Sequence, residues 1–162
     1  MLETNRLIIR KGCQEDVADV LEFRNSEFVL RYNAMEIADQ ESCTREIMNA
    51  YVLYEKEIKK VIGILECSPD ELRYRIKSTC LSYYLSETYA RQGYMQEALQ
   101  KVIEDLFNQD YEVISARVFV PNVASTQLLL KLGFKREGIL SHSVKGYRGR
   151  IFDDQIFTLL HP

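Results

Sequence analysis

The residues with the most evident chemical capacity run from Ser82 to Phe107. A strand-like run, Leu81-Ser82-Tyr83-Tyr84-Leu85, feeds the loop Ser86-Glu87-Thr88-Tyr89-Ala90-Arg91-Gln92-Gly93-Tyr94, and an amphipathic helix opens straight out of it. The first N–H groups of a helix lack internal partners, and the helix dipole turns its positive end toward the preceding loop. A strand, a glycine-bearing turn and a helix N-terminus therefore make an anion site suited to a pyrophosphate. Taken alone, the same pattern also describes an ordinary helix entry. Its meaning depends on what the rest of the chain supplies.

The elements that must hold this loop are legible as periodicities. Met95, Ala98, Leu99, Val102, Ile103, Leu106 and Phe107 advance in the steps of one buried helix face, with Gln96, Glu97, Gln100, Lys101, Glu104 and Asp105 turned to water. Leu7–Lys11 reads as a first strand, Gln14–Arg24 as a helix with Val17, Val20, Leu21 and Phe23 inward, and Phe28–Ile37 as irregular. Asp39 is placed to cap a helix reaching Ala50. Tyr51–Glu55 and Val61–Cys67 form a hairpin across residues 56–60, Ser68-Pro69-Asp70 turns the chain, and Thr79–Ser86 is the next strand. Val113–Val120 is a strand stopped by Pro121-Asn122, and Ala124–Leu132 a helix with Gly133 at the left-handed cap. Strands near Phe134–Leu140 and Ile151–Leu160 close the chain around the turn Lys145–Gly149. The order β-α-α-β-β-β-α-β-α-β-β predicts an α/β (α+β) chain, a mixed sheet with helices packed on it, and 162 residues predict one domain over 1–162.

Composition narrows the chemistry. A net charge of −3 and a pI near 5.5 argue against nucleic acid as the main partner, leaving Lys145, Arg148 and Arg150 as a local basic patch. Cys13, Cys43, Cys67 and Cys80 are scattered without a C-x-x-C pair, and with two histidines the chain offers no zinc-like spacing, so no metal is expected. Charges at Glu3 and Arg6 argue against a signal peptide, and no apolar run reaches membrane-spanning length. The expectation is a reduced, cytoplasmic protein without a membrane partner, its cysteines serving as small core hydrophobes.

Four segments, in order, carry a resemblance. Leu2-Glu3-Thr4-Asn5-Arg6-Leu7-Ile8-Ile9-Arg10 resembles the first strand of the GNAT acetyltransferases, and within them the RimJ/RimL-type N-acetyltransferases. Tyr83-Tyr84-Leu85 followed by Gly93–Leu99 is similar to the acetyl-CoA motif of that family. Asn122-Val123-Ala124-Ser125 with Lys131–Gly138 is similar to its second motif, and Asp153–Leu159 to its last strand. The resemblance implies a central, mostly antiparallel twisted sheet flanked by helices. Two departures stand out: Ala90-Arg91 occupies the place of Trp and the first of two loop glycines, and Phe157 stands where Tyr is common.

By this resemblance, the backbone amides of Arg91, Gln92, Gly93, Tyr94 and Met95 bind the pyrophosphate of acetyl-CoA, and Tyr84 and Leu85 offer strand-edge hydrogen bonds to its pantetheine. Asn122 is either a turn residue or an amide that hydrogen-bonds the cofactor. Ser125 either caps the next helix or protonates the leaving thiolate, and Lys131 is either solvated or reaches a phosphate. An amine acceptor must lose a proton before it attacks, which makes Glu66, at the end of a central strand, the first candidate base, followed by Tyr84, His142 and Asp153. No Ser-His-Asp spacing supports a covalent enzyme. The expected reaction is direct transfer of acetyl in a ternary complex to a primary amine, either a protein N-terminus such as that of a ribosomal protein or a small amine. A non-catalytic CoA-binding or protein-interaction module of the same fold is the alternative, motivated by Ala90-Arg91. Exposed sheet edges near the C-terminus allow a homodimer.

Overall fold

Apolar residues that alternate, then recur every three to four positions, build a sheet with helices on both faces. The computed structural model describes Met1–Pro162. In chain order its elements are β1 (Leu2–Glu3), β2 (Leu7–Lys11), α1 (Val17–Arg24), α2 (Glu27–Leu30), α3 (Gln40–Asn49), β3 (Tyr51–Glu55), β4 (Lys60–Ser68), β5 (Ser78–Leu85), α4 (Tyr94–Asn108), β6 (Val113–Phe119), α5 (Val123–Lys131), β7 (Lys135–Lys145) and β8 (Ile151–Leu160). The strands form one eight-stranded sheet in the order β1-β2-β3-β4-β5-β6-β8-β7, antiparallel at every junction except β5 with β6. This is the mixed, mostly antiparallel sheet that the sequence led us to expect.

Three details differ from the sequence reading. The irregular stretch from Phe28 begins inside α2, a single turn capped by the Ser26 side chain accepting from the Val29 N–H; four residues are too few to show a period. A two-residue β1 pairs with β2 through Leu2 and Ile9. β7 runs on to Lys145, past the expected end at Leu140, because an exposed edge strand needs no apolar alternation to stay paired.

Two apolar cores lie on opposite faces of the sheet. One gathers Met95, Ala98, Leu99, Val102, Ile103 and Leu106 of α4 against Leu53, Leu65, Leu81, Ile114 and Phe157. The other gathers Val20 of α1 and Cys43 and Ile47 of α3 against Val52 and Ile64. Asp39 caps α3 as expected, accepting from the Ser42 N–H at 2.9 Å. α5 ends on Gly133 at φ +91°, where Phe134 N–H bonds Leu129 C=O and Gly133 N–H bonds Leu130 C=O.

One junction of the sheet is incomplete, and it positions the site. β5 and β6 pair only from Ser78 with Val113 to Leu81 with Ala116. β5 continues to Leu85, held on its other edge by β4 through Gly63, and β6 continues to Phe119, held by β8 through Asp154. Beyond Leu81 the two strands part, and a wedge opens in the middle of the sheet.

Candidate active site

The wedge widens into a cleft of about 670 Å³. Tyr83, Tyr84 and Leu85 of β5 form one wall, Asn122, Ser125, Leu128 and Lys131 another, the loop and first turn of α4 a third, and Phe28, Arg31 and Tyr32 the far end.

The loop before α4 is shaped to present amides. Arg91 lies at φ +61° and Gly93 at φ +82°, so left-handed residues bracket Gln92. The first helical bond runs from the Glu97 N–H to the Gly93 carbonyl, and the N–H groups from Arg91 to Gln96 have no acceptor within the chain. Successive free amides in such a turn form an anion-binding nest, reinforced by the helix dipole. The αL conformation is the one that a glycine would adopt without cost, and Arg91 adopts it instead, adding a guanidinium to the loop.

A residue overlooked in the sequence holds this loop from behind. Arg6 donates to the Gln92 carbonyl at 3.0 Å, pairs with Glu97 at 2.7 Å and lies 3.9 Å over the Tyr94 ring. Glu97 also accepts from the Thr4 hydroxyl at 2.6 Å and the Arg6 N–H at 2.9 Å. Burial works against the Glu97 charge, but these hydrogen bonds from Thr4 and Arg6 outweigh it and hold the carboxyl below its ordinary range.

At the strand edge the peptide groups sort by alternation. Ser86 N–H donates to Ile62 C=O on the β4 side, so Tyr84, two residues back, also addresses its peptide to β4. The peptides of Tyr83 and Leu85 face the wedge. The strand-edge role expected of Tyr84 and Leu85 thus fits Leu85 and Tyr83, and Tyr84 contributes its side chain.

Asn122, and not Ser125, caps α5: its side-chain oxygen accepts from the Ser125 N–H at 3.2 Å, and its amide donates to Ser125 Oγ at 3.2 Å. The capping alternative for Ser125 is therefore corrected, because the serine stands three residues inside the helix. The buried Tyr83 hydroxyl near Ser125 has no hydrogen-bond partner, and burial pushes the phenol up to about 12, with the Ser125 hydroxyl acting the other way.

Of the residues singled out in the sequence, Tyr84, Leu85, Arg91, Gly93, Tyr94, Met95, Asn122, Ser125 and Lys131 all line the cleft. Gln92 stands behind it, donating to the Thr88 carbonyl at 2.8 Å. Glu66 does not join them in the cleft lining: it is exposed on β4 opposite Ser82, one residue past the last pair of β5 with β6. His142 and Asp153 sit together at the β7–β8 edge, where Asp153 accepts from the His142 N–H at 2.8 Å. Burial pushes the Cys67 thiol up to about 11 and raises Cys80, as suits packing residues. A carboxylate that the sequence gave no reason to notice, Glu46 of α3, meets the Tyr84 hydroxyl at 2.5 Å.

Fold and site together define an α/β protein with an anion-binding loop beside an opened sheet. The model of the acetyltransferase (GNAT) domain matches residues 6–135, and the chain belongs to that family. It is similar to the uncharacterized N-acetyltransferase YoaA of Bacillus subtilis, with 26% identity over 175 aligned residues covering 100% of this chain and 97% of YoaA. Among solved structures, a GNAT-family acetyltransferase from Bacillus anthracis superposes with a TM-score of 0.87 at 18% identity, covering 98% of this chain and 97% of that one. RimL, a ribosomal L7/L12 alpha-N-protein acetyltransferase solved in complex with coenzyme A, superposes at 0.83 with 16% identity, covering 97% of this chain and 95% of RimL. No helix is long and apolar enough to cross a membrane.

Proposed function

We propose that this acetyltransferase takes acetyl from acetyl-CoA and gives it to a primary amine by direct attack in a ternary complex. The observation that carries the reading is the run of free amides from Arg91 to Gln96, set at the mouth of the wedge between β5 and β6. Acetyl-CoA supplies an acyl group already activated as a thioester. The amides and the Arg91 guanidinium would hold its pyrophosphate, with Lys131 on the opposite wall as a further cation. The inward peptides of Leu85 and Tyr83 suit an extended amide-bearing arm, because a strand edge pairs with any chain that presents alternating donors and acceptors.

Asn122 fixes the Ser125 hydroxyl at the start of α5, and the cap leaves the serine's own hydrogen free to be donated toward a leaving sulfur. Proximity does much of the remaining work, since two reactants held in one cleft need no further encounter. The acceptor is a primary amine, either a protein N-terminus, as the ribosomal-protein enzyme with this fold would suggest, or a small amine. Arg91 prompted the rival reading of a silent CoA-binding module. Its left-handed backbone keeps the loop in an anion-binding shape, which both readings share, so thiol release is what separates them.

The test is calorimetric titration with acetyl-CoA, then a panel of peptides and small amines with detection of free thiol. Binding with amine-dependent thiol release is expected, and the best acceptor ranks the substrate classes. Binding without release from any amine would refute the transferase and leave the module.

A further inference from the structure

Tyr84 stands in the cleft wall with its hydroxyl 2.5 Å from Glu46 Oε1. The other Glu46 oxygen is held by Arg24 of α1, from Nε and from the second terminal nitrogen, each at 2.8 Å. Arg24 is only 5% exposed, and it is fixed in turn by the Glu36 carbonyl and the Asn25 side chain. An ionised carboxylate only accepts hydrogen bonds, so the phenol is the donor in this pair. With its one hydrogen committed to Glu46, the Tyr84 oxygen has only lone pairs left to offer an incoming group. Phe23 packs edge-on against the same ring at 6.1 Å, so the phenol is held rigidly. Burial raises the Tyr84 phenol far above its ordinary range, with the neighbouring Glu46 adding to the effect, so a free phenolate has no part here. An acceptor-only oxygen with a carboxylate behind it matches an ammonium group.

We propose that Tyr84, with Glu46 as its positioning residue, removes the proton from the acceptor ammonium before attack. This rests on the N-acetyltransferase reading above and gives that reaction a base from the cleft wall itself. One N–H bond of the ammonium breaks, and its electron pair stays on nitrogen. The proton passes to the Tyr84 oxygen as the phenol's own proton passes to Glu46 Oε1. The phenol is restored in the same step, and no phenolate forms. Glu46 becomes a neutral acid and returns the proton to water, for which its side chain keeps 24% exposure. The charged and titratable groups facing Glu46 are Arg24 from α1, Tyr84 from β5 and Cys43 from its own helix. Burial raises the Cys43 thiol so that it stays neutral.

The experiment is kcat/KM against pH for the parent chain, Tyr84→Phe, Glu46→Gln and the double variant, using an amine that the parent acetylates. Each single variant is expected to lose about 100-fold near neutral pH, the low end of what a positioned acid or base contributes. The double variant should lose no more than the worse single one. The losses should shrink above the pKa of the acceptor amine itself, where the substrate arrives already neutral, and acetyl-CoA affinity should stay unchanged throughout. Glu46→Gln leaves Arg24 without its counter-charge and puts folding at risk, whereas Tyr84→Phe keeps that ion pair and decides the matter alone. A loss that is constant across pH, or no loss, overturns the relay and leaves the transferase standing. A parent chain that releases no thiol with any amine overturns both.

Discussion

Arg91 offers a perturbation whose two effects run in opposite directions. Its φ of +61° is a region that costs a residue with a side chain about 1–2 kcal/mol and costs glycine almost nothing. Arg91→Gly removes that cost but adds backbone freedom to the unfolded chain, worth about 0.4–1 kcal/mol in the other direction. The balance is a stabilisation of about 0.5–1 kcal/mol, which for a chain of this size is a rise in Tm of roughly 1–4 °C. The same substitution removes an exposed guanidinium from the anion loop, so the Kd for CoA should rise about 3–10-fold, on the order of 1 kcal/mol for a charge–phosphate contact partly shared with water. Arg91→Ala separates the two effects. It loses the same charge but keeps a Cβ in the left-handed region, so its CoA affinity should match that of the glycine variant while its Tm does not rise. Scanning calorimetry gives Tm, titration gives Kd, and the affinity gap should narrow as salt shortens the Debye length. A glycine variant no more stable than the alanine variant would refute the strain argument. Unchanged CoA affinity in both would refute the placement of the phosphate.

Other expectations follow from the same geometry. Glu97 has a depressed pKa in the fold, so its contribution to stability is present above the ordinary carboxylate pKa of about 4.3 and is lost as pH falls through the lower folded value. Glu97→Gln should therefore lower Tm near neutral pH and flatten the Tm profile below about pH 4, and a parallel profile would reject the assignment. Asn122→Ala should destabilise the chain by about 1 kcal/mol in urea unfolding, as loss of an N-cap does. Ser125→Ala, inside the helix, should change stability little while lowering kcat more than it changes the Kd for acetyl-CoA. Cys67, half-buried and with its thiol raised to about 11, should react with a thiol-specific reagent far more slowly than a free thiol at neutral pH. Labelling of Cys67 in the folded chain at the rate of a free thiol would contradict the raised pKa.

What the sequence made legible was local. The stripe from Met95 to Leu106, the Asp39 cap and the Gly133 stop each depend on residues within a few positions of one another, and each stands where the pattern placed it. The left-handed Arg91 was foreseeable only as a question, because arginine does not announce a positive φ. What escaped was long-range. Arg6 meets Glu97 across 91 positions and Tyr84 meets Glu46 across 38, and no periodicity links such pairs. Glu66 sits on a central strand, but its side chain is exposed and outside the cleft lining, and no local pattern tells which residues of a strand a cleft takes in. Asn122 and Ser125 both suited a helix start, and only the hydrogen-bond geometry distinguished cap from first turn.

The parting of β5 from β6 also has a consequence for exchange with solvent. Amides at the centre of a sheet are ordinarily among the last in a chain to trade hydrogen for deuterium, because they exchange only through large-scale opening. Here the inward N–H groups of Tyr83 and Leu85 lie mid-sheet yet have no neighbouring strand to bond. In the free chain they should exchange early, flanked by the slowly exchanging Tyr84, and an acetyl-CoA arm laid along that edge would slow them. Two residues on one strand would thus report occupancy of the cleft by mass alone, without a substituted residue or an attached dye.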